Sequence, residues 1–464
     1  MGEWSPWSTS IVLKHLFSSQ LRRNMVSGAT STAMNAAVMF VSYPVYLHFL
    51  GYEKLGVWMV LSTVLTFVQM CNLGMGPAVT KLVAEEHARG NREGIQDYVS
   101  TASWTLIAVG TFALAMLLLF ARPILGLFKL GTENEIIARQ LLPYLGVLTV
   151  YAFVVQVLTA TLSGLGRMDQ ASYRDSLCRV VSLGVSILFL ILGYEMVSLL
   201  VGLAVSYLLM ILMSHVLLRR LMNLRMITFT WDAARFKTLV GFGGSVLGSS
   251  ILNMLLTPFN KLILSRYTGV ESVAAYEIAF NMAMQIRALF DGIVRAIVPD
   301  VSRTTAVVDF YSLTRVKSLN ARLVRLVWLY GGLFYGPILV CCIPVMKVWL
   351  GNRYMEAIPQ AFAVFMLANL ICLGALPSFY TLMGMGQVKY ILLATVIQSV
   401  VNVTAVSSLF VVGGDPGVWA VTIITAIAMV CGAGSLFVMN RALLQGLLKK
   451  HVSCDGLITH VSLA

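Results

Sequence analysis

Arg287, Asp291 and Arg295 recur at four-residue intervals in a stretch, residues 272–298, that is otherwise apolar enough to cross a bilayer. At 3.6 residues per turn the three fall on one stripe of a helix, with Asn281 and Glu277 roughly two and three turns before Arg287, toward the other end. A charge near the bilayer centre costs about 2.5 to 3.5 kcal/mol on insertion scales, so such groups face a cavity or a partner rather than lipid. Two readings of the stripe stand side by side. An Arg-Asp-Arg ladder can neutralise itself and snorkel to the cytoplasmic interface, or its guanidinium forks can hold an anion, since their planar donors match phosphate oxygens two at a time. Arg295 lies one turn from the inner end of the stretch, where snorkelling suffices. Arg287 lies deeper. Lys261 is the second cationic candidate, a few residues from the predicted outer end of its stretch, and interfacial snorkelling is equally open to it.

The elements that position these residues are membrane spans. Apolar residues make up 58% of the chain and charged residues 11%, with a mean hydropathy of +0.83, against about 25% charged in an average soluble domain. Stretches that reach the roughly 20 residues needed to cross a hydrocarbon core lie at 26–48, 56–79, 99–120, 141–164, 177–194, 197–217, 239–264, 272–298, 321–345, 360–383, 391–412 and 417–439. These are spans one to twelve, and the expected fold is an all-α polytopic membrane protein.

The chain is also written twice. Asn35, Gly51, Glu53, Gly74 and Val83 recur 218 positions later as Asn253, Gly269, Glu271, Gly292 and Val301. Further on, Leu130-Gly131 answers to Leu350-Gly351, and GLGRMDQASY (Gly164 to Tyr173) to GMGQVKY (Gly384 to Tyr390). Six spans per half mean that both halves enter the membrane the same way, a parallel repeat of the kind that transporters use. The division expected is an N-terminal interfacial segment (1–25), an N-lobe (26–218), a linker (219–237), a C-lobe (238–440) and a C-terminal tail (441–464). In the first half the counterparts of Arg287, Asp291 and Arg295 are Gln69, Leu73 and Pro77, so Gln69 and Asn72 leave that lobe merely polar.

Basic residues set the orientation. With a cytoplasmic N-terminus, inner loops, tails and span ends hold 24 Lys and Arg and the outer ones 8; Arg287, deep inside a span, completes the 33. Both termini are therefore expected in the cytoplasm. The same asymmetry accounts for the net charge of +13 without nucleic-acid binding, for which no soluble basic domain is present. Residues 81–100 carry mixed charge at helical spacing and predict a short amphipathic helix between spans two and three. In Gly241 to Ser250 the spacing of Gly244 and Gly248 predicts a close helix contact.

Catalytic patterns are missing from the sequence. It has no phosphate-cradling Walker loop, its six His show no metal-ligand spacing, and its seven Cys form no metal or redox pattern. No cofactor is expected. The longest outer loop, Ala121 to Gln140, carries no acid-base constellation of the kind a membrane glycan polymerase or ligase would display.

The run Phe49 to Gly94 carries Leu50-Gly51, the start Gly56-Val57-Trp58, the span end Asn72-Leu73-Gly74-Met75-Gly76 and the loop Ala88-Arg89-Gly90-Asn91-Arg92-Glu93. In these elements it resembles the polysaccharide transporter branch of the multidrug/oligosaccharidyl-lipid/polysaccharide (MOP) exporter superfamily, which holds the Wzx-type O-antigen flippases. The resemblance implies a V-shaped pair of six-helix lobes in the bacterial inner membrane. It also implies alternating access that carries an undecaprenyl-pyrophosphate-linked oligosaccharide from the inner to the outer leaflet. Membrane lipids, a polysaccharide polymerase and a chain-length regulator are the implied partners. On this reading Arg287, Arg295, Lys261, Gln69, Asn72 and Asn281 are substrate-binding candidates, and Asp291 and Glu277 are candidates for coupling to an H+ or Na+ gradient. A multidrug cation antiporter of the same superfamily would want membrane carboxylates to dominate over cations, whereas the deepest charge here is Arg287. A lipid II flippase would be expected to have two more spans and more cavity arginines.

Overall fold

Gly166 and Gly386, paired in the internal repeat, take the same left-handed backbone conformation, with φ of 73° and 70°. The bonds around them also match. The Gly166 amide donates to Ser163 O at 3.0 Å and Arg167 N to Leu162 O at 2.9 Å; Gly386 N donates to Met383 O at 3.1 Å and Gln387 N to Leu382 O at 2.9 Å. Each closes one helix and starts the next, a conformation that suits glycine because it has no Cβ to clash. The helices that follow, Met168–Ile191 and Val388–Val411, are both 24 residues long and begin and end 220 positions apart. Gly51 and Gly269, φ 73° and 90°, are a second such pair.

The computed structural model describes residues 19–72, 74–222, 230–295, 310–411 and 417–461, and among them all regular structure is helical. Among the described residues seven helices, or eight with one bent pair, are both long and apolar enough to cross a membrane. The helical stretch Val26–Asn72 is 47 residues long, about 70 Å, or more than twice a hydrocarbon core of about 30 Å. It is therefore two spans, joined at the kink at Gly51. With that division and the bent pair there are nine. The other three long helices, Met168–Ile191, Ala233–Thr268 and Val270–Arg295, carry internal charges: Arg174 and Asp175 in the first, Lys261 in the second, Glu277, Arg287 and Asp291 in the third. The fold is thus an all-α polytopic membrane protein of about twelve spans. Span nine, Phe310–Leu350, turns Leu333, Val340 and Val348 outward at 73–87% exposure, as a helix facing lipid does.

The chain packs as two units, the first of Met1–Leu50 and Leu61–Ile251, the second of Gly51–Val60 and Leu252–Ala464. In the first, Met75, Val79, Ile95, Leu106, Phe153 and Leu158 close a core. In the second, Tyr276, Phe280 and Phe365 pack with ring centroids 5.2–5.9 Å apart. The Gly51–Val60 segment belongs to the second unit because the Tyr52 hydroxyl donates to the Arg353 carbonyl and Gly56 lies against the Val270 backbone, where a Cβ would meet Val270 O at 2.0 Å.

Several connections differ from the sequence expectation. No separate amphipathic helix occupies residues 81–100. Span two continues to Ala88 and span three starts at Arg92, so the mixed charges decorate the emergent ends of two spans. Asn91 caps the second of these through the Gly94 amide at 3.0 Å. Among the described residues nothing lies within 4 Å of a Cβ built on Gly244, so the expected contact is not seen there. Gly248 has its side-chain surroundings outside the described residues. The close approach is made by Gly243, whose carbonyl oxygen would lie 2.2 Å from a Cβ on Gly74. Most of the N-terminal segment lies outside the described residues, and span twelve runs on as one helix, Gly417–Val461, through the expected tail.

The two units break their helices at different places. Span two is interrupted at Met70–Asn72 and Gly74, where φ is 65°, whereas its repeat counterpart in span eight stays helical through Gly292. Span ten consists of Ala357–Leu373 and Leu376–Gly384, bent by 46°, whereas its counterpart Thr132–Gly164 is continuous. At the bend the Trp328 indole sits against Gly374, where a Cβ would lie 2.1 Å from the indole nitrogen.

Candidate functional site

Within the second unit, Arg287 and Asp291 line a cavity of about 180 Å³. The bent span ten supplies Cys372, Ala375, Leu376 and Phe379 to its wall. Span eleven supplies Ile391, Ala394, Thr395 and Gln398, and span twelve Met429, Gly432, Ala433 and Leu436. Arg287 Nη1 donates to Asn369 Oδ1 at 3.3 Å. Asn369 is fully buried one turn before the bend, so the guanidinium is tied to the helix that bends. Asp291, one turn on from Arg287, is itself engaged in a contact. The side chain of Arg295 lies outside the described residues.

Lys261 does not take the interfacial position open to it. It is 6% exposed and its Nζ pairs directly with Glu277 Oε2, so it is enclosed by protein and does not snorkel to an interface. Asn281 Nδ2 donates to the same carboxylate at 3.3 Å. One residue along each helix, Asn260 Nδ2 donates to Tyr276 Oη at 3.1 Å and to Thr425 Oγ1 at 3.0 Å, and Asn402 Nδ2 reaches Thr425 at 3.3 Å. This buried polar network ties spans seven, eight, eleven and twelve together.

Gln69 and Asn72 belong to the first unit, whereas Lys261, Glu277, Asn281, Arg287 and Asp291 belong to the second. Asn72 Oδ1 accepts from the Gly74 amide at 3.0 Å and thereby satisfies the backbone where span two breaks.

The first unit holds a charged residue that sequence reading treated as a loop cation. Arg174 is 1% exposed. Its Nε and Nη2 donate to Asp175 Oδ1 at 3.0 and 2.6 Å, Nη2 to Thr159 Oγ1 at 2.6 Å, and Nη1 to Ser214 Oγ. The apolar window begins span five at residue 177, but the helix begins at Met168, which puts Arg174 inside the unit. The turn motif at Gly166, matched to Gly386, was the available signal.

At the linker, Trp231 Nε1 donates to Thr105 Oγ1 at 3.2 Å and Arg235 Nη2 lies 2.9 Å from Asp97, which docks the start of span seven on span three. Asp232 accepts from the Ala234 amide at 2.8 Å. That bond and Arg235 beside it hold its carboxyl below the usual carboxylate range.

Fold and site together define an all-α polytopic membrane protein whose second unit carries a guanidinium and a carboxylate on one cavity wall. Residues 21–305 match the polysaccharide biosynthesis protein family, and the chain belongs to that family. The matched residues include the whole of Phe49 to Gly94, on which the resemblance was read. A Shigella flexneri protein named as an O-antigen transporter is 24% identical over 307 residues, 66% of this chain and 71% of the relative. Among solved structures, a multidrug resistance MATE family transporter of the MOP superfamily, in an inward-facing conformation, is similar at a TM-score of 0.74 and 17% identity, over 90% of this chain and 96% of that one. The lipid II flippase MurJ, in an inward closed conformation, is similar at 0.67 and 14%, over 96% and 92%.

Proposed function

We propose that the protein is a flippase that moves an undecaprenyl-diphosphate-linked oligosaccharide from the inner to the outer leaflet of the bacterial inner membrane. Family membership supports a role in polysaccharide biosynthesis, and the relative named as an O-antigen transporter supports a repeat unit as the cargo. The observation that carries the reading is Arg287, a guanidinium on the wall of a cavity within a membrane lobe. A diphosphate is the anion its fork fits, and sugar hydroxyls suit the polar groups beside it. The lipid tail stays in the bilayer while the lobes alternate access. A multidrug cation antiporter would be served by carboxylates without a neighbouring guanidinium, whereas here Asp291 lines the same cavity as Arg287.

On this reading both termini face the cytoplasm, and a polymerase and a chain-length regulator take up the product outside. Coupling to an H+ or Na+ gradient is assigned to Asp291 or Glu277. It is tested by measuring transport under each gradient with Asp291→Asn and Glu277→Gln; transport by both variants that still responds to the gradient removes the assignment. Deleting the gene should make lipid-linked repeat units accumulate on the inner leaflet and surface polysaccharide fall. Normal export with altered chain length alone would make the protein a polymerase or regulator and not a transporter, and would restore an enzymatic role.

A further inference from the structure

The Arg174 cluster of the first unit has a counterpart, and the counterpart is empty of charge. At the 220-residue offset fixed by Gly166 and Gly386, Thr159, Arg174 and Asp175 correspond to Phe379, Ala394 and Thr395. Spans six and twelve start at Glu195 and Gly417, an offset of 222, so Ser214 corresponds to Leu436. All four counterparts line the cavity of the second unit. Where one lobe fills its interior with a guanidinium and three partners, the other has an alanine and open volume, and brings Arg287 and Asp291 to it from span eight.

The chemistry of the wall says what the volume would hold. A space of about 180 Å³ is about six waters at roughly 30 Å³ each, and is below the roughly 300 Å³ at which drug-sized ligands begin. The diphosphate can reach Arg287 without filling this volume, because the Asp291 carboxylate on the same wall disfavours a second anion inside it. A sugar ring presents hydroxyls that both donate and accept, and the wall offers both functions. Arg287 donates, the Asp291 carboxyl oxygens accept, and Gln398 and Thr395 do either. Phe379 and Leu436 give the C–H face of a ring an apolar surface.

We propose that this cavity is a subsite for a single sugar ring, the one next to the diphosphate, with Arg287 serving both groups. The proposal rests on the flippase reading. Arg287 has five N–H donors, and the bond to Asn369 commits one of them. The cavity therefore selects the first sugar of the repeat unit, while the remaining sugars lie outside it.

The test uses the full-length chain in detergent with three probes: undecaprenyl diphosphate, the same lipid carrying one hexose or one N-acetylhexosamine, and the free monosaccharides. The sugar should raise affinity about tenfold or more over the bare lipid, the effect of one or two hydrogen bonds to charged groups. Ala394→Leu, which fills the cavity, should erase that increment while the bare lipid still binds. Thr395→Val, which keeps the shape and removes a hydroxyl, should lower it and guards against misfolding of the first variant. If both lipids bind and the increment is unchanged in both variants, the subsite is overturned and the flippase reading stands. If wild-type chain binds neither lipid, the flippase reading falls and takes the subsite with it. Free monosaccharide binding as tightly as the sugar-lipid would assign the cavity to a soluble saccharide and overturn the lipid-linked source.

Discussion

Replacing Lys261 by Met leaves Glu277 without its cation inside the second unit, and the structure sets the size of the effect. Removing one partner of a buried ion pair costs about 3–5 kcal/mol, because an uncompensated charge stays behind. Glu277 keeps 16% of its side-chain exposure and the Asn281 bond at 3.3 Å, which puts Lys261→Met near the lower end, about 3 kcal/mol. The reverse change, Glu277→Leu, strands an ammonium that is only 7% exposed, and about 4 kcal/mol is expected. The double variant buries no charge and should cost about 1 kcal/mol, a coupling of several kcal/mol between the two sites. Unfolding in detergent with increasing denaturant, followed by tryptophan fluorescence for the four proteins of the cycle, reads these differences. Additive losses in the double variant would refute the argument, since they would mean that the two side chains do not compensate each other.

Gly74→Ala should destabilise the first unit by several kcal/mol, because φ is 65° and the new Cβ would meet the Gly243 backbone rather than a movable side chain; the amount of folded protein in membranes checks it, and wild-type abundance would show that the two backbones can separate. Asp232 titrates below its ordinary value, so its contribution is present above the unfolded value and is lost as pH falls through the lower folded one. Limited proteolysis of the linker should therefore accelerate only in acid, and Asp232→Asn should flatten that dependence; an equal acid response in the variant would locate the titrating group elsewhere. Single cysteines at Glu93 and Asn352, exposed residues at opposite ends of spans, should react from the cytoplasm and from outside respectively, and the reverse pattern would invert the orientation.

Much of the architecture is legible in the residues. Hydropathy marks the twelve spans, and the glycine pairs of the repeat mark their turns, because only a residue without a Cβ takes φ near 70° at no steric cost. Residues 81–100 mislead because the polar end of a span and a free amphipathic helix have the same periodicity, and only the cap at Asn91 separates them. Arg174 is misplaced because a hydropathy window scores each charge as if it faced lipid, and a guanidinium satisfied by Asp175, Thr159 and Ser214 does not. The stripe of Arg287 and Asp291 follows from helical spacing alone. The cavity beside it does not, since it arises from small residues on three other spans and from the bend at Gly374, none of which has a local signature. The pairing of Lys261 with Glu277 joins two helices, and no spacing within either one predicts it.

The most direct test of the account reconstitutes the purified chain in liposomes with a fluorescent undecaprenyl-diphosphate-linked oligosaccharide and follows its appearance in the opposite leaflet. Wild-type protein should move it well above the rate in empty liposomes. Arg287→Glu, present at normal abundance, should not, because its carboxylate repels the diphosphate, and Arg287→Lys should keep part of the activity, since it retains the charge and loses the two-point fork. Transport by Arg287→Glu at the wild-type rate, or wild-type liposomes indistinguishable from empty ones, would contradict it.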